Sequence, residues 1–285
     1  MLHIVLLVLA AFAGGALNAI AGGGSFLTFP ALVFTGVPSV IANATNTVAL
    51  FPGSFASAFS YRHGLARLEE ISLRTLILVS IAGGTLGAIV LLKTPENTFV
   101  ALTPWLLLFA TVMFAASKRL GAALRSRVTF SFGTLLVTQF VIAIYGGYFG
   151  GGIGILMLAA LAAFGMTDMT AMNGIKTILA GCLNGVAVVV FVAAGKVYWT
   201  QALIMMAAAI AGGYMGAHYA QKLKTSVLRG IVISTGVAMT GYFFYHAYWR
   251  LLSDAVFTHF CESVRLSIRS SSSVTTPGIP TSSPT

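Results

Sequence analysis

The chain has 285 residues, 58% of them hydrophobic and 8% charged, with a mean hydropathy of +0.94, so it lacks the polar residues needed to cover a soluble globule of this size. Its net charge of +10 would suit nucleic acid only as a basic face on a soluble module. Here the cations lie between apolar runs, which excludes a nucleic-acid partner and makes Lys and Arg topology signals for a chain that lives in a lipid bilayer.

The apolar runs, in chain order, are Leu2–Ile20, Phe26–Gly36, Asn43–Tyr61, Ser72–Leu92, Phe99–Ser117, Thr129–Phe149, Ile153–Gly165, Thr170–Ala194, Thr200–Ala220 and Ile231–Trp249. Most reach the roughly 20 residues that a helix needs to cross about 30 Å of hydrocarbon. Phe26–Gly36 and Ile153–Gly165 do not: at 1.5 Å per residue they would be only about 16–20 Å long. The first run has no Lys or Arg ahead of it and leads straight into a glycine motif that returns later, so it is expected to be a retained membrane segment rather than a cleaved signal peptide. After Trp249, Arg250–Arg269 mixes charged and apolar residues, and Ser270–Thr285 is rich in Ser, Thr and Pro. A core cannot be built from that tail, and it is expected to be disordered.

Sliding the sequence against itself by about 129 residues brings three motifs into register. Gly22-Gly23-Gly24 meets Gly150-Gly151-Gly152. Asn43-Ala-Thr45-Asn46-Thr47 meets Asn173-Gly-Ile-Lys176-Thr177. Ile81–Ala88 meets Ile210–Ala217. Cations concentrate in Arg62–Arg74, Lys118–Arg127 and Lys222–Arg229, which the positive-inside rule places in the cytoplasm, while Lys93 and Lys196 stand alone in loops that would face outward. Corresponding loops of the two halves therefore fall on opposite sides, the charge signature of an inverted-topology repeat. The expectation is an all-α, polytopic integral membrane protein of two inverted repeats. Residues 1–117 form the first, 118–128 a cytoplasmic basic linker, 129–249 the second and 250–285 the tail, with glycine-broken helices or re-entrant hairpins at Leu2–Gly36 and Thr129–Gly165.

Each glycine triplet interrupts an apolar run at membrane depth, where backbone can leave helical geometry only if it is buried in protein or lines a cavity. Matching breaks in two halves are the best sequence-level pointer to a transporter's binding site. Close helix packing through small residues is the alternative, and it suits Gly83, Gly84, Gly87 and Gly212, Gly213, Gly216 best. Ser25 follows the first break, and the next helices are expected to open at Asn43 and Asn173. A helix start offers unpaired N–H groups and a positive dipole end to an anion, with Asn43, Thr45, Asn46, Thr47, Asn173 and Thr177 adding polar groups; ordinary N-capping by the two asparagines is the other reading. Lys176 is a cation well inside the apolar run Thr170–Ala194. Such a charge costs on the order of 3 kcal/mol at mid-membrane and marks a functional site, unless it snorkels to the headgroups from its place near the helix start. Asn184, about two turns on, either joins the site or bonds to a neighbouring helix.

No HExxH or paired-carboxylate pattern exists, and the acids Glu69, Glu70, Glu96, Asp168, Asp254 and Glu262 all lie outside the spans. A membrane-embedded enzyme is therefore the weakest reading, no cofactor or metal is expected, and any proton coupling would have to use the anion itself or a group not identified. Cys182 and Cys261 form neither a disulfide framework nor a CxxC site.

These residues resemble the TauE/SafE sulfite exporter family, also called the toluene sulfonate uptake permeases. The likeness rests on Leu17–Ser25, Pro30 and Ala44–Asn46 in the first half, and on Gly150–Gly154, Asn173–Thr177, Asn184, Gly195–Trp199 and Gly212–Gly216 in the second. It covers about Leu2–Tyr248, and the tail departs from it. The resemblance implies transport of sulfite, organosulfonates or related sulfur oxyanions, often dependent on the proton-motive force. The residues alone lead to a secondary transporter of a small anion, and with the resemblance the expected location is a bacterial-type inner membrane. An uncoupled anion channel is the nearest alternative, and homo-oligomer formation is left open. The candidate substrate-binding set is Gly22, Gly23, Gly24, Ser25, Asn43, Thr45, Asn46, Thr47, Gly150, Gly151, Gly152, Asn173, Lys176, Thr177 and Asn184.

Overall fold

A computed structural model describes residues 2–60, 72–127, 131–219, 230 and 233–248, and divides the chain into two compact units, Met1–Phe243 and Phe244–Thr285. The expected tail at 250–285, the cationic stretch 61–71 and the loop 220–229 lie outside the described residues. In the second unit the described residues 244–248 are helical, with the Phe244 and Tyr248 rings stacked at 5.7 Å.

In the first unit the apolar runs are helices: α1 (Leu2–Ala21), α2 (Ser25–Phe34), α3 (Ser39–Ser60), α4 (Leu73–Lys93), α5 (Glu96–Arg127), α6 (Phe132–Tyr148), α7 (Ile153–Ala163), α8 (Met169–Ala193) and α9 (Trp199–Tyr219), followed by helical residues 233–243. Four stretches, Leu2–Ala19, Leu73–Lys93, Glu96–Ala116 and Ala171–Ala193, are long and apolar enough to cross a membrane. The two short runs form the 10-residue α2 and 11-residue α7, only about 15–17 Å long at 1.5 Å per residue. α5 continues helically through the cationic segment 118–127 to Arg127.

The outward faces carry large apolar side chains such as Leu78, Val112, Val137 and Tyr214, while Ser80, Thr103 and Gln139 are buried. That is the reverse of a soluble protein and fits lipid as the surrounding medium. Inside, Phe29 of α2 gathers an aromatic core, edge-on to Phe99 (6.3 Å) and Phe149 (5.8 Å) and stacked on Phe243 (5.7 Å). A second apolar cluster joins Met157 and Leu161 of α7 to Met172, Leu179 and Leu183 of α8.

The long helices pack in matched pairs. α1 lies along α9, and α6 lies along α4; α3 packs on α9, and α8 on α4. The closest approaches obey the same offset of about 129 residues. A Cβ on Gly83 would meet the carbonyl of Phe140, and one on Gly212 would meet that of Phe12. Four residues on, a Cβ at Gly87 would meet the Ile144 carbonyl and one at Gly216 would meet Ala16. Hydrogen at these positions lets the backbones touch, which is how helices associate in lipid, where no hydrophobic force separates them from solvent.

Candidate functional site

The backbone leaves α1 at Gly22 (φ +74°) and α6 at Gly150 (φ +79°), equivalent positions that both adopt the left-handed conformation only glycine enters freely. α2 and α7 then start at Ser25 and Ile153. The two breaks meet: a Cβ on Gly22 would stand 3.0 Å from Gly154 Cα. Beside this contact is a cavity of about 40 Å³, enough for roughly three waters or one compact ion at about 10–15 Å³ per water.

Its walls come from corresponding places in the two halves. Gly22 and Ser25 face Gly150 and Ile153; Thr47, Leu50 and Ser54 of α3 face Thr177, Ala180 and Asn184 of α8. Asn18, Gly154 and Lys176 complete the lining. Lys176 breaks the symmetry. Its side chain is 3% exposed, and Nζ has no hydrogen-bond partner among the described residues. At the matching position stands Asn46, whose Nδ2 donates to Ser25 Oγ (3.1 Å) and whose Oδ1 accepts from Thr28. The Thr28 hydroxyl shares its proton between that oxygen and the Gly24 carbonyl (3.0 Å).

Of the residues singled out in the sequence, Gly22, Ser25, Thr47, Gly150, Lys176, Thr177 and Asn184 line the cavity. Gly23, Gly24, Asn43, Thr45, Asn46, Gly151, Gly152 and Asn173 do not, and several hold the surrounding frame. Asn43 Nδ2 donates to the Tyr148 carbonyl (2.9 Å), the Tyr145 hydroxyl to the Gly151 carbonyl (2.9 Å), and the Tyr198 N–H to Thr45 Oγ1 (3.1 Å). Gly152 (φ +75°) turns the chain into α7.

One expectation needs correcting. Asn43 and Asn173 do not open their helices, because α3 begins at Ser39 and α8 at Met169, a full turn earlier. Carboxylates hold those extra turns: Glu96 accepts from the N–H groups of Ser39 and Val40 (3.2 Å for the latter), and Asp168 accepts from the Ala171 N–H (3.4 Å). The helix starts that do reach the cavity are those of α2 and α7, at Ser25, Ile153 and Gly154, while the next N–H groups, those of Phe26, Leu27 and Ile155, bond back to the carbonyls of Gly23, Gly24 and Gly152.

Asn18 and Ser54 were missed. Ser54 stands seven residues after Thr47, as Asn184 does after Thr177, so both fall on the cavity face of their helices two turns on. Asn18 is a polar residue one turn before the break, and its carbonyl accepts from the Gly22 N–H (3.0 Å).

Residues 7–243 match the model of the family described as Sulfite exporter TauE/SafE. The chain belongs to that family. A Sinorhizobium protein named "Probable membrane transporter protein ORF9" is 32% identical over 239 residues, covering 82% of this chain and 89% of its own length. A "Probable membrane transporter protein" of Haemophilus influenzae is 28% identical over 243 residues, 84% and 93% of the two chains. "Probable membrane transporter protein YfcA" of Escherichia coli is 24% identical over 242 residues, 84% and 88%. No solved structure matches. The TauE/SafE match spans both glycine breaks, the cavity and Lys176. The protein is thus a membrane transporter of this family, and its bacterial relatives agree with a bacterial-type inner membrane.

Proposed function

We propose that the protein is a secondary transporter that binds a small anion in the cavity between the two glycine breaks and carries it across the bilayer by alternating access. The observation that carries this reading is Lys176: a cation buried to 3% exposure, with no hydrogen-bond partner for Nζ among the described residues, beside an opening lined by polar groups. An unpaired buried cation is costly, and an anion is the ligand that removes the cost. The starts of α2 and α7 add N–H groups and the positive ends of two helix dipoles, the arrangement by which broken helices hold anionic groups in transporters.

The matched helix pairs and matched left-handed glycines support an inverted-topology repeat, in which the two halves rock about the shared cavity. Family membership supports sulfite or an organosulfonate as the cargo. The test is uptake of labelled sulfite and a small sulfonate into proteoliposomes, with and without an imposed proton gradient, for the wild type and Lys176→Met. Gradient-driven accumulation lost in Lys176→Met is expected; equal flux in both would sink the proposal.

A further inference from the structure

Resting on that reading, the hydrogen bonds around the cavity narrow the cargo. Thr47 and Thr177 occupy equivalent places on opposite walls, and each hydroxyl donates its only proton to a carbonyl of its own helix: Thr47 Oγ1 to Asn43 (2.9 Å) and Thr177 Oγ1 to Asn173 (2.7 Å). What these two oxygens can offer a ligand is lone pairs. Ser25 is the opposite case, since its oxygen already accepts from Asn46 Nδ2, leaving its proton to donate. With Lys176 the opening therefore presents one positive charge and hydrogen-bond donors, together with a pair of acceptors that a fully deprotonated anion could only repel.

Charge and size agree. Lys176 is the one ionisable side chain in the lining; α1, α2, α3 and α7 contribute Asn18, Ser25, Thr47, Ser54 and backbone, and none contributes an acid or a second base. Tyr148 and Tyr145, just before the break, and Cys182, two residues before Asn184, are not in the lining. A single cation balances a monoanion, and about 40 Å³ admits a few oxygens around one central atom but not an aromatic ring.

We propose that the cavity selects the singly protonated monoanion of a compact oxyacid, one negative charge with one O–H, so that the O–H donates to Thr47 or Thr177 while the other oxygens meet Lys176 and Ser25. The ligand then brings its own proton, and no protein carboxylate is needed to carry one.

Selenite is the cleanest probe, because its monoanion carries the proton on oxygen and loses it in mildly alkaline solution, whereas part of the sulfite monoanion carries it on sulfur. Purified protein is titrated with selenite across that pH range by thermal shift, beside methanesulfonate, which has the same charge and no O–H, and sulfate, a dianion. The pH dependence of methanesulfonate binding reads titration of the protein itself and is divided out.

Affinity following the hydrogen selenite concentration, with methanesulfonate bound roughly tenfold or more weakly, supports the proposal. Thr47→Val and Thr177→Val should each reduce the preference for hydrogen selenite over methanesulfonate roughly three- to tenfold. Affinity that follows the selenite dianion, or equal binding of methanesulfonate at all pH values, overturns this inference while leaving an anion site standing. Should no anion bind and none be transported into proteoliposomes, the transport reading falls and this inference with it. The pH series uses the unaltered protein, so the outcome does not hinge on a variant that folds.

Discussion

Gly22 and Gly154 touch backbone to backbone, so the chain breaks of the two halves form one wall of the cavity. Gly22 is bound by two constraints, a φ of +74° and a neighbour 3.0 Å from where a Cβ would sit. Gly36 has the first constraint alone, with φ +87° and nothing within 4 Å. Both Gly22→Ala and Gly36→Ala should therefore lose about 1–2 kcal/mol of stability to the left-handed backbone. Only Gly22→Ala should also abolish flux, because it pushes the two breaks apart. Thermal unfolding and proteoliposome uptake measured on the pair separate strain from site geometry; full activity in Gly22→Ala would count against the breaks forming the site.

Lys176→Met should make the empty protein more stable. The substitution keeps an unbranched chain of similar length and removes a buried charge that has no partner, worth about 3 kcal/mol on insertion scales. For a chain of this size that is a rise in Tm of about 5–10 °C. The same variant should show no anion-dependent shift. A lower Tm in the absence of anion would mean that Lys176 already has a counter-charge.

Much of this was legible in the sequence, and the limits have physical causes. The two short helices were visible as runs too short to span, and the glycine triplets as breaks, because lipid forbids irregular exposed backbone and so leaves few readings. Lys176 stood out because a cation in an apolar run is expensive wherever it faces. The start of α3 was misplaced by a turn because Glu96, which holds it, comes from 56 or 57 residues away and leaves no local capping pattern, whereas the start of α8 did have a local cap in Asp168, three residues before Ala171. Asn46 was grouped with the binding residues by its type, yet its amide is spent on Ser25 and Thr28, and only three-dimensional partners reveal that. Asn18 and Ser54 have no motif of their own and emerge only once two helices are placed side by side.

Glycines with the same helical backbone should respond in opposite ways according to what lies opposite. Gly212 sits where a Cβ would run into the Phe12 carbonyl of α1, and that backbone cannot yield without moving the helix. Gly241 has nothing within 4 Å. Gly212→Ala should open the α1–α9 contact and cost about 1–3 kcal/mol as an overpacked site, lowering Tm and folded yield. Gly241→Ala should be neutral or raise stability by up to about 1 kcal/mol, from helix propensity alone. Equal responses would show that the small residues reflect composition instead of a crossing.

Glu96 offers the last test, because it links two elements of the frame without entering the cavity. Its carboxylate accepts from the first N–H groups of α3, the helix that carries Thr47 and Ser54 into the lining, while Glu96 itself opens α5. A negative charge at a helix start is favourable for both the orphan N–H groups and the dipole. Glu96→Gln keeps an acceptor oxygen and loses the charge, so it should cost about 0.5–1 kcal/mol; Glu96→Ala removes both and should cost about 1–2 kcal/mol. Because the loss falls on the start of α3 rather than on the ligand, the expected kinetic result is a lower transport rate with little change in apparent anion affinity. A variant that weakened affinity and left the rate alone would instead make Glu96 part of the binding chemistry, and α3 would then be anchored by something other than this carboxylate.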